Sequence, residues 1–348
     1  INLLNPRQLS IRSYRHDKEN PSSLSYNPVN AIYEDAYGTL WVGTVEGGLN
    51  RKERNSEDFT HYTREHGGLS HNSVSALTSD ADNHLWIGTW GGGLNLLDLK
   101  APRQIQEVIS SQTSGGFPIN FIGVLNYDPI NKGIWIGANQ GLYFYDPIKK
   151  EITAPLPDKI AENIHGCIGS IIDKEGKLWV GCLEGVYIID LHSRSSKGEF
   201  QYRHLNYKLD DPSSRLIEKI TCFYEGKDGT LWLGSNGYGI YQRKIDAQGK
   251  EQFISYSTAQ GLPNNSVRGI LEDNNGNLWI STNNGLSCYH QAENRFINYT
   301  IQDGLIDTQF YWNASCGSSH DLLYFGSVGG LVAIESNRPA ASLPAAKV

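Results

Sequence analysis

Amide, aromatic and acidic side chains recur four to six residues after a repeated tryptophan along this chain. Amide groups can donate to and accept from hydroxyl groups, and aromatic rings can stack on the apolar faces of sugars. Two further polar side chains lie in predicted loops on the same face of the repeats. We therefore expect a ligand to be contacted by eleven residues: Glu46, Trp90, Asn139, Gln140, Glu184, Asn236, Tyr238, Asn283, Asn284, His71 and Arg268.

Each of these candidates also has a structural interpretation. Asn283 lies in an Asn-Asn-Gly turn, where asparagine is favoured because it tolerates the left-handed conformation. Trp90 stands between a threonine and three glycines, where nothing local requires a tryptophan, so the alternative is packing on a neighbouring loop. Arg268 could serve in a salt bridge or an interface. Glu46 and Glu184 could form a catalytic pair, but their repeats are three apart, which favours solvated turn carboxylates.

The elements that position these residues follow from one five-residue string, typified by LWIGT, that occurs seven times. Its aromatic anchors are Trp41, Trp86, Trp135, Trp179, Trp232, Trp279 and Tyr324. The spacings between them are 45, 49, 44, 53, 47 and 45 residues, which is typical of one propeller blade. The apolar pattern has a period of 2 rather than 3.6, which indicates strands.

Each repeat divides into four predicted strands, a to d. A turn rich in Asp, Asn and Gly joins strands a and b, the anchor lies in strand b, and a glycine-bearing turn leads to strand c. Strand d carries an aromatic pair three residues apart, such as Phe59 and Tyr62. In this order the b–c turns and the d–a loops share one face, on which the candidate ligand contacts are expected.

Two columns of small residues support this geometry. Ten residues before the anchors stand Ala31, Ala76, Leu125, Gly169, Cys222, Gly269 and Ala314, mostly small, as expected where inner strands crowd an axis. Two residues after the anchors stand Gly43, Gly88, Gly137, Gly181, Gly234, Ser281 and Gly326. A glycine repeated inside a strand implies close approach of a neighbour. We expect that neighbour to be the anchor of the next blade.

The seventh repeat lacks a strand d, whereas residues 11–14 at the N-terminus carry its pattern. We predict that this strand completes the last blade, because the join removes an open sheet edge. The predicted fold is an all-β, seven-bladed β-propeller of four-stranded antiparallel blades over residues 8–335. Residues 336–348 are predicted to be a linker toward a missing β-sandwich domain, and the chain does not begin with Met.

Composition excludes several classes of protein. The net charge is −7 without a basic stripe, which argues against nucleic acid as a partner. No apolar run is long enough to span a bilayer. The five cysteines show no CxxC pair or metal-ligand spacing, so no metal and no cofactor are expected. Cys167 and Cys182 should lie near each other across one hairpin, as buried thiols by default, and a disulfide between them is left open.

The repeats resemble two-component regulator propeller repeats. The resemblance rests on Gly68-Leu69-Ser70 through Val74, on residues 80–89, and on Gly92-Gly93-Leu94-Asn95. It extends over about residues 8–335 and is strongest in the first, second, fifth and sixth repeats. The resemblance implies the periplasmic sensor region of a hybrid two-component histidine kinase, and this chain is similar to its C-terminal propeller.

The resemblance also implies the function and the partners. We expect a non-catalytic sensor module that recognises an oligosaccharide for polysaccharide utilisation, beside an adjacent propeller and a β-sandwich domain, in a homodimeric full-length protein. One alternative is a structural or dimerisation propeller whose ligand site lies in a missing domain. A less favoured alternative is a propeller glycosidase or lyase, because paired acids and an arginine cluster are not evident.

Overall fold

The computed structural model describes residues 10–110, 112–157, 164–183, 185–205 and 219–336. These ranges contain 28 strands in seven four-stranded antiparallel sheets, named blades 1–7 in chain order. Their helical segments are all short 3-10 turns: Leu191–Ser193, Thr258–Gln260, Gln291–Glu293 and Ile301–Asp303. No helix in the described ranges is long and apolar enough to cross a membrane.

Each blade orders its strands from the axis outward. Blades 1 and 2 comprise β2 (Val29–Glu34), β3 (Leu40–Thr44), β4 (Leu49–Lys52), β5 (Phe59–Tyr62), β6 (Val74–Ser79), β7 (His84–Thr89), β8 (Gly93–Asp98) and β9 (Gln106–Ile109). Blades 3 and 4 comprise β10 (Ile122–Asp128), β11 (Gly133–Ala138), β12 (Leu142–Asp146), β13 (Glu151–Thr153), β14 (Gly169–Ile172), β15 (Lys177–Cys182), β16 (Gly185–Asp190) and β17 (Gln201–Leu205).

The remaining strands follow the same plan. Blades 5 and 6 comprise β18 (Ile220–Glu225), β19 (Leu231–Ser235), β20 (Ile240–Ile245), β21 (Glu251–Tyr256), β22 (Val267–Glu272), β23 (Leu278–Thr282), β24 (Gly285–His290) and β25 (Arg295–Tyr299). Blade 7 comprises β26 (Phe310–Gly317), β27 (Leu322–Ser327), β28 (Gly330–Glu335) and the N-terminal β1 (Ser10–Tyr14). The seven-bladed β-propeller predicted from the repeat is therefore confirmed.

The N-terminal strand closes the ring as predicted. β1 pairs antiparallel with β28, in register from Ser10 opposite Glu335 to Tyr14 opposite Leu331. Arg12 also forms an ion pair with Glu335, at 2.9 Å. Because the last sheet is completed by the first strand, blades 1 and 7 are held together by a backbone ladder. Of the predicted linker 336–348, only Ser336 belongs to the described residues.

Most a–b turns are built around a buried contact between an aspartate and the anchor. One carboxylate oxygen accepts backbone N–H groups of the turn, as Asp35 does from Tyr37 and Thr39. The other oxygen accepts the indole N–H of the anchor. The Asp–Trp distances are 2.8 Å for Asp35–Trp41, 2.8 Å for Asp80–Trp86, 3.1 Å for Asp128–Trp135, 2.7 Å for Asp173–Trp179 and 3.0 Å for Asp273–Trp279.

Among the described residues, blades 5 and 7 lack the hydrogen bond between an aspartate and the anchor. In blade 7 the anchor is Tyr324, which has no indole N–H, and Ser318 replaces the aspartate. The Ser318 hydroxyl still accepts the backbone N–H groups of His320 and Leu322, at 3.0 and 3.1 Å. In blade 5 the equivalent residue is Gly226, whose backbone is hydrogen-bonded to Thr230 and Gly229, while Asp228 accepts from Thr230 within the same turn.

Each anchor ring packs into the core that it shares with the next blade. Trp41 of blade 1 lies among Val74 and Leu85 of blade 2, and Tyr324 of blade 7 lies among Val29 and Val42 of blade 1. The seven apolar clusters therefore form a continuous ring between the sheets. Burial of large aromatic side chains is the main favourable contribution to such packing.

The glycine column is confirmed as a place of close approach, but the predicted neighbour is wrong. A Cβ on Gly43 would lie 2.5 Å from Val74 Cγ1, and one on Gly88 would lie 2.6 Å from Ile122 Cγ2. These neighbours are the first residues of the innermost strand of the next blade, not its anchor ring. The anchor ring instead points into the core between the blades. Glycine is required in this column because a Cβ would overlap the innermost strand of the next blade.

The two predicted neighbouring cysteines do lie side by side. Their Sγ atoms are 3.4 Å apart, and both thiols are buried and are not joined by a disulfide. This proximity arises because Cys182 ends β15 and Cys167 enters the same blade opposite it.

We predict that Asp35→Ala destabilises the propeller by on the order of 2–3 kcal/mol, because two backbone N–H groups and a buried indole lose their acceptor. Thermal and denaturant unfolding of the purified chain would measure this. Asp228→Ala is the matched control, since Asp228 is an exposed turn aspartate whose carboxylate accepts hydrogen bonds from the backbone N–H and the hydroxyl of Thr230. Equal effects of the two substitutions would contradict the assigned role of the Asp–Trp contact.

We also predict that a chain beginning at residue 16 forms soluble aggregates, because the exposed edge of β28 is then free to pair with other chains. Light scattering coupled to size-exclusion chromatography would detect the change. A chain beginning at residue 10 keeps all of β1 and is expected to behave as the full chain does. An unchanged particle size after removal of β1 would show that this strand is dispensable for closure.

Candidate ligand-binding site

A β-bulge interrupts the innermost strand of six blades at the same place, near the b–c face, with one extra residue in five blades and a longer irregularity in blade 7. The register shifts fall at Asn30, Ser75, Gly123, Thr221, Arg268 and residues 311–314. Such β-bulges re-aim side chains and are common next to functional sites. In blade 4, Ile168 precedes β14 at the equivalent place. The six bulges and Ile168 therefore bring residues of all seven blades to one end of the axis.

The bulge also corrects one member of the predicted column of small residues. In blade 3 it is Val124, not Leu125, that pairs with Gly137. The shift arises because Asp128 and Trp135 are seven residues apart, one more than in the other Asp–Trp turns.

A cavity of about 380 Å³ opens at this end of the axis. Its lining is mostly apolar and aromatic, and comes from bulge residues and b–c turns: Asn30, Val45, Ser73, Ser75, Trp90, Gly123, Ile168, Tyr311 and Trp312. A second cavity of about 310 Å³ lies further along the axis, and Ser75 borders both. We call the first cavity, together with its b–c turns, the axial mouth.

Trp90 is the most exposed tryptophan of the axial mouth, at 43% of its surface. Its turn is fixed because the Thr89 hydroxyl donates to the carbonyl of Gly93 and accepts the N–H of Gly92. The Trp90 ring packs edge-to-face on Phe121 of the next blade, with centroids 5.6 Å apart. The alternative of packing on a neighbouring loop is thus realised on one side of the ring, while the rest faces the mouth.

Arg268 occupies the bulge of β22 and is only 7% exposed. Its guanidinium carbon lies 3.7 Å from the centroid of the Trp312 ring. Its terminal nitrogens donate to the side-chain oxygens of Asn236, at 3.5 Å, and Asn283, at 3.4 Å. Burial lowers the pKa of Arg268 from its ordinary value. Three predicted site residues from two blades are therefore brought into one cluster.

Other predicted residues line the rim rather than this cluster. His71 lies against Gly91 and accepts the backbone N–H of Ser73 through Nδ1, at 3.1 Å. Asn284 is exposed and its backbone N–H donates to the Thr282 hydroxyl, as the turn interpretation requires. Asn139 and Gln140 are exposed in the b–c turn of blade 3.

Two of the remaining predicted residues, Glu46 and Tyr238, do not line the cavity. Glu46 is exposed, and its hydrogen bond with Tyr26 raises the pKa of that tyrosine. Tyr238 is half-buried and packs against the core shared by blades 4 and 5. Glu184 lies outside the described residues. No pairing of Glu46 and Glu184 can therefore be assigned, and Tyr238 contributes to packing between blades.

The eleven residues predicted as ligand contacts do not include Phe121, Tyr311 or Trp312. The available signal is that three adjacent aromatic residues begin β26, whereas five of the other six innermost strands begin with a single β-branched residue. The four-residue bulge 311–314 carries these rings to the mouth.

The opposite face carries one group of potential metal ligands in the described ranges: Asp80, Asp82 and His84. The Asp80 carboxylate already accepts the N–H groups of Asp82 and His84, the His84 imidazole and the Trp86 indole. This group belongs to the Asp–Trp turn, so we assign it a structural role.

We predict that acrylamide quenches the fluorescence of a small exposed tryptophan population and that Trp90→Phe removes most of that quenching. The six anchor tryptophans are at most 3% exposed, whereas Trp90 is 43% exposed. Stern–Volmer titration of the wild-type and variant chains would measure the difference. Trp86→Phe is the matched control and should leave the quenching intact. Equal quenching of all three proteins would contradict the described exposure of Trp90.

Comparison with known proteins supports the relationship implied by the repeats. The family model for the two-component regulator propeller matches residues 23–46, 68–91, 216–237 and 261–284. These segments carry the d–a loop, strand a and strand b of blades 1, 2, 5 and 6. "Histidine kinase P4" of Formosa agariphila is 26% identical over 172 residues, which is 48% of this chain and 12% of that kinase.

Three solved structures share the architecture. The extracellular domain of BT3049 from B. thetaiotaomicron, described as a hybrid two-component system, superposes with a TM-score of 0.76 and 26% identity, over 94% of this chain and 41% of that one. The extracellular domain of BT4673 from the same species gives a TM-score of 0.69 at 19% identity, over 93% and 40%. Virginiamycin B lyase of Staphylococcus aureus gives 0.65 at 15%, over 94% and 98%.

The last two similarities, at below 25% identity, show the fold alone. The chain spans less than half of the length of the kinase and of either extracellular domain. In contrast, BT3049 matches over nearly the whole propeller. Four of the seven blades therefore match the two-component regulator propeller repeat, and the chain is similar over its propeller to an extracellular domain of a hybrid two-component system.

Proposed function

We propose that this propeller is a non-catalytic sensor module of a hybrid two-component histidine kinase and recognises an oligosaccharide at the axial mouth. In this role it lies in the periplasm and signals for polysaccharide utilisation. The observation that carries the proposal is the aromatic and amide lining of a 380 Å³ mouth on a rigid ring of blades. Homology to an extracellular domain supports the location and the sensor role.

The chemistry of the mouth suits a sugar. Trp90, Tyr311 and Trp312 offer ring faces and edges, and apolar sugar faces stack on such rings. Asn30, Ser73 and Ser75 offer donors and acceptors for hydroxyl groups. The cavity volume falls within the range of about 300–1,000 Å³ that is usual for small-molecule sites. One or two sugar rings would fill it, with the rest of the chain on the rim.

The same lining argues for binding rather than catalysis. Most glycosidases need two carboxyl groups on either side of the scissile bond. No carboxylate of the described residues lines the 380 Å³ cavity. The likeness to virginiamycin B lyase concerns the fold alone, and a propeller fold does not determine an activity. We therefore assign no reaction to this chain.

Signal transfer would take place between domains. The blades are joined by continuous apolar clusters and a closed ladder, which leaves little room for a switch within the propeller. A ligand shifts an equilibrium only by its differential affinity for the two states. We propose that these states are two arrangements of this propeller with an adjacent propeller and a β-sandwich domain, in a homodimer.

Isothermal titration of the complete ectodomain with a panel of neutral and acidic oligosaccharides tests the proposal. We expect at least one to bind, and Trp90→Ala to weaken its binding at least tenfold, or about 1.4 kcal/mol. Tyr37→Ala is the matched control, since Tyr37 is an exposed ring on the opposite face, at 57%.

Two outcomes would overturn the proposal. Failure of every oligosaccharide to bind the complete ectodomain would remove the sensor function for this ligand class. Binding that Trp90→Ala and Tyr37→Ala leave equally unchanged would place the site in another domain, and this propeller would then be structural. Release of shorter products during the titration would instead reveal an enzyme.

A further inference from the structure

Arg268 carries a buried positive charge that no described carboxylate neutralises. Only 7% of the residue is exposed, and its Nε has no hydrogen-bond partner. The two contacts of its terminal nitrogens, 3.5 and 3.4 Å long, exceed the usual 2.7–3.2 Å of a strong hydrogen bond. Of five N–H donors, none is therefore strongly engaged within the described residues.

Two other basic side chains of the propeller, Arg243 and Lys52, have a carboxylate partner. Arg243 lies over the Trp179 ring much as Arg268 lies over Trp312, but its Nε donates to Glu251 at 2.6 Å. Lys52 is also buried, and nearby Glu57 raises its pKa against the effect of burial. A lysine can also lose its proton, whereas a guanidinium stays charged. An uncompensated buried arginine destabilises the folded protein, and an anionic ligand would offset this effect.

The two asparagines beside Arg268 strengthen the argument. Both direct their side-chain oxygens at the guanidinium, which turns their amide N–H groups away from it. The cluster therefore presents donors and positive charge but few acceptors. Such a donor set fits an oxyanion, because charge-assisted hydrogen bonds to carboxylate or sulfate are about twice as strong as neutral ones.

The cluster is connected to the axial mouth through one ring. Trp312 carries the guanidinium on its face and also borders the 380 Å³ cavity. Asn236 and Asn283 belong to the b–c turns of blades 5 and 6, on the same face of the propeller as the cavity. An oxyanion on a sugar bound in the mouth would therefore reach Arg268 between these turns.

We propose that the ligand of the axial mouth is an acidic oligosaccharide whose carboxylate or sulfate group is bound by Arg268 with Asn236 and Asn283. This inference rests on the proposed oligosaccharide recognition and narrows it to one ligand class. A free carboxylate and a sulfate ester both present negatively charged oxygens, so the experiment must distinguish the two groups.

Binding titrations of this chain and of the complete ectodomain should use three probes: oligogalacturonate, sulfated carrageenan oligosaccharides, and neutral galactan oligosaccharides as the uncharged comparison. We expect one acidic probe to bind at least tenfold more tightly than the neutral one, and Arg268→Gln to abolish this preference. Raising the ionic strength should weaken binding by the wild type but not by the variant. Which acidic probe binds distinguishes carboxylate from sulfate.

Arg268→Lys keeps the charge but loses the two-nitrogen fork, so we expect an intermediate affinity. Arg243→Gln is the matched control, because it removes a guanidinium from a tryptophan ring away from the mouth. It should leave the preference for an acidic probe unchanged.

A measurement without ligand supports the same assignment. Arg268→Met should raise the melting temperature of the unliganded chain, because it removes an uncompensated buried charge. Arg243→Met should lower it, because Glu251 then loses a partner. A lower melting temperature for Arg268→Met would show that the guanidinium is structural and would overturn the inference.

The outcomes separate this inference from the proposed function. Tight binding of a neutral oligosaccharide that Arg268→Gln does not weaken would leave the sensor function standing and overturn the acidic ligand. Binding of an acidic probe with loss on Arg268→Gln supports both. Absence of binding by all probes to the complete ectodomain would overturn both.

Discussion

The hydrogen bond between a turn aspartate and the anchor indole is the contact on which the rest of the propeller depends. It places a carboxylate, which must be satisfied when buried, between a tight turn and the ring that fills the interblade core. The same group therefore fixes the a–b turn and the orientation of the anchor. Blade 7 supports this reading, because the loss of the indole in Tyr324 coincides with Ser318 in place of the aspartate.

Because the turns and anchors are fixed at one end of each blade, the other end is free to vary. The bulges occupy equivalent positions in six blades, yet their residues range from Gly123 to Arg268. Some of them hold neighbouring blades together, as Ser75 and Thr221 do by donating to carbonyls of the next innermost strand. Others face the axial mouth. A nearly symmetric scaffold thereby produces an asymmetric binding surface.

The sequence was sufficient for the fold because spacing and pattern are local properties. The anchors predicted seven blades, and Ile11 with Tyr14 predicted closure. The site was less predictable, since a bulge is a property of pairing register and leaves no residue signature of its own. Trp90 was selected from its unusual surroundings in the sequence, and Arg268 from its place in a predicted d–a loop or strand start. The stacking of Arg268 on Trp312 depends on a four-residue bulge in another blade.

The misassigned glycine contact has the same physical origin. From the sequence, the largest side chain was the natural candidate for the space beside Gly43, but size does not give direction. The Asp35 hydrogen bond directs the Trp41 ring along the turn and into the core of blade 2, so the glycine meets Val74 instead. Hydrogen bonds of buried polar groups thus decide which way a large ring points. At Arg268, by contrast, the two asparagine contacts are long, and the guanidinium lies on the face of the Trp312 ring that borders the mouth.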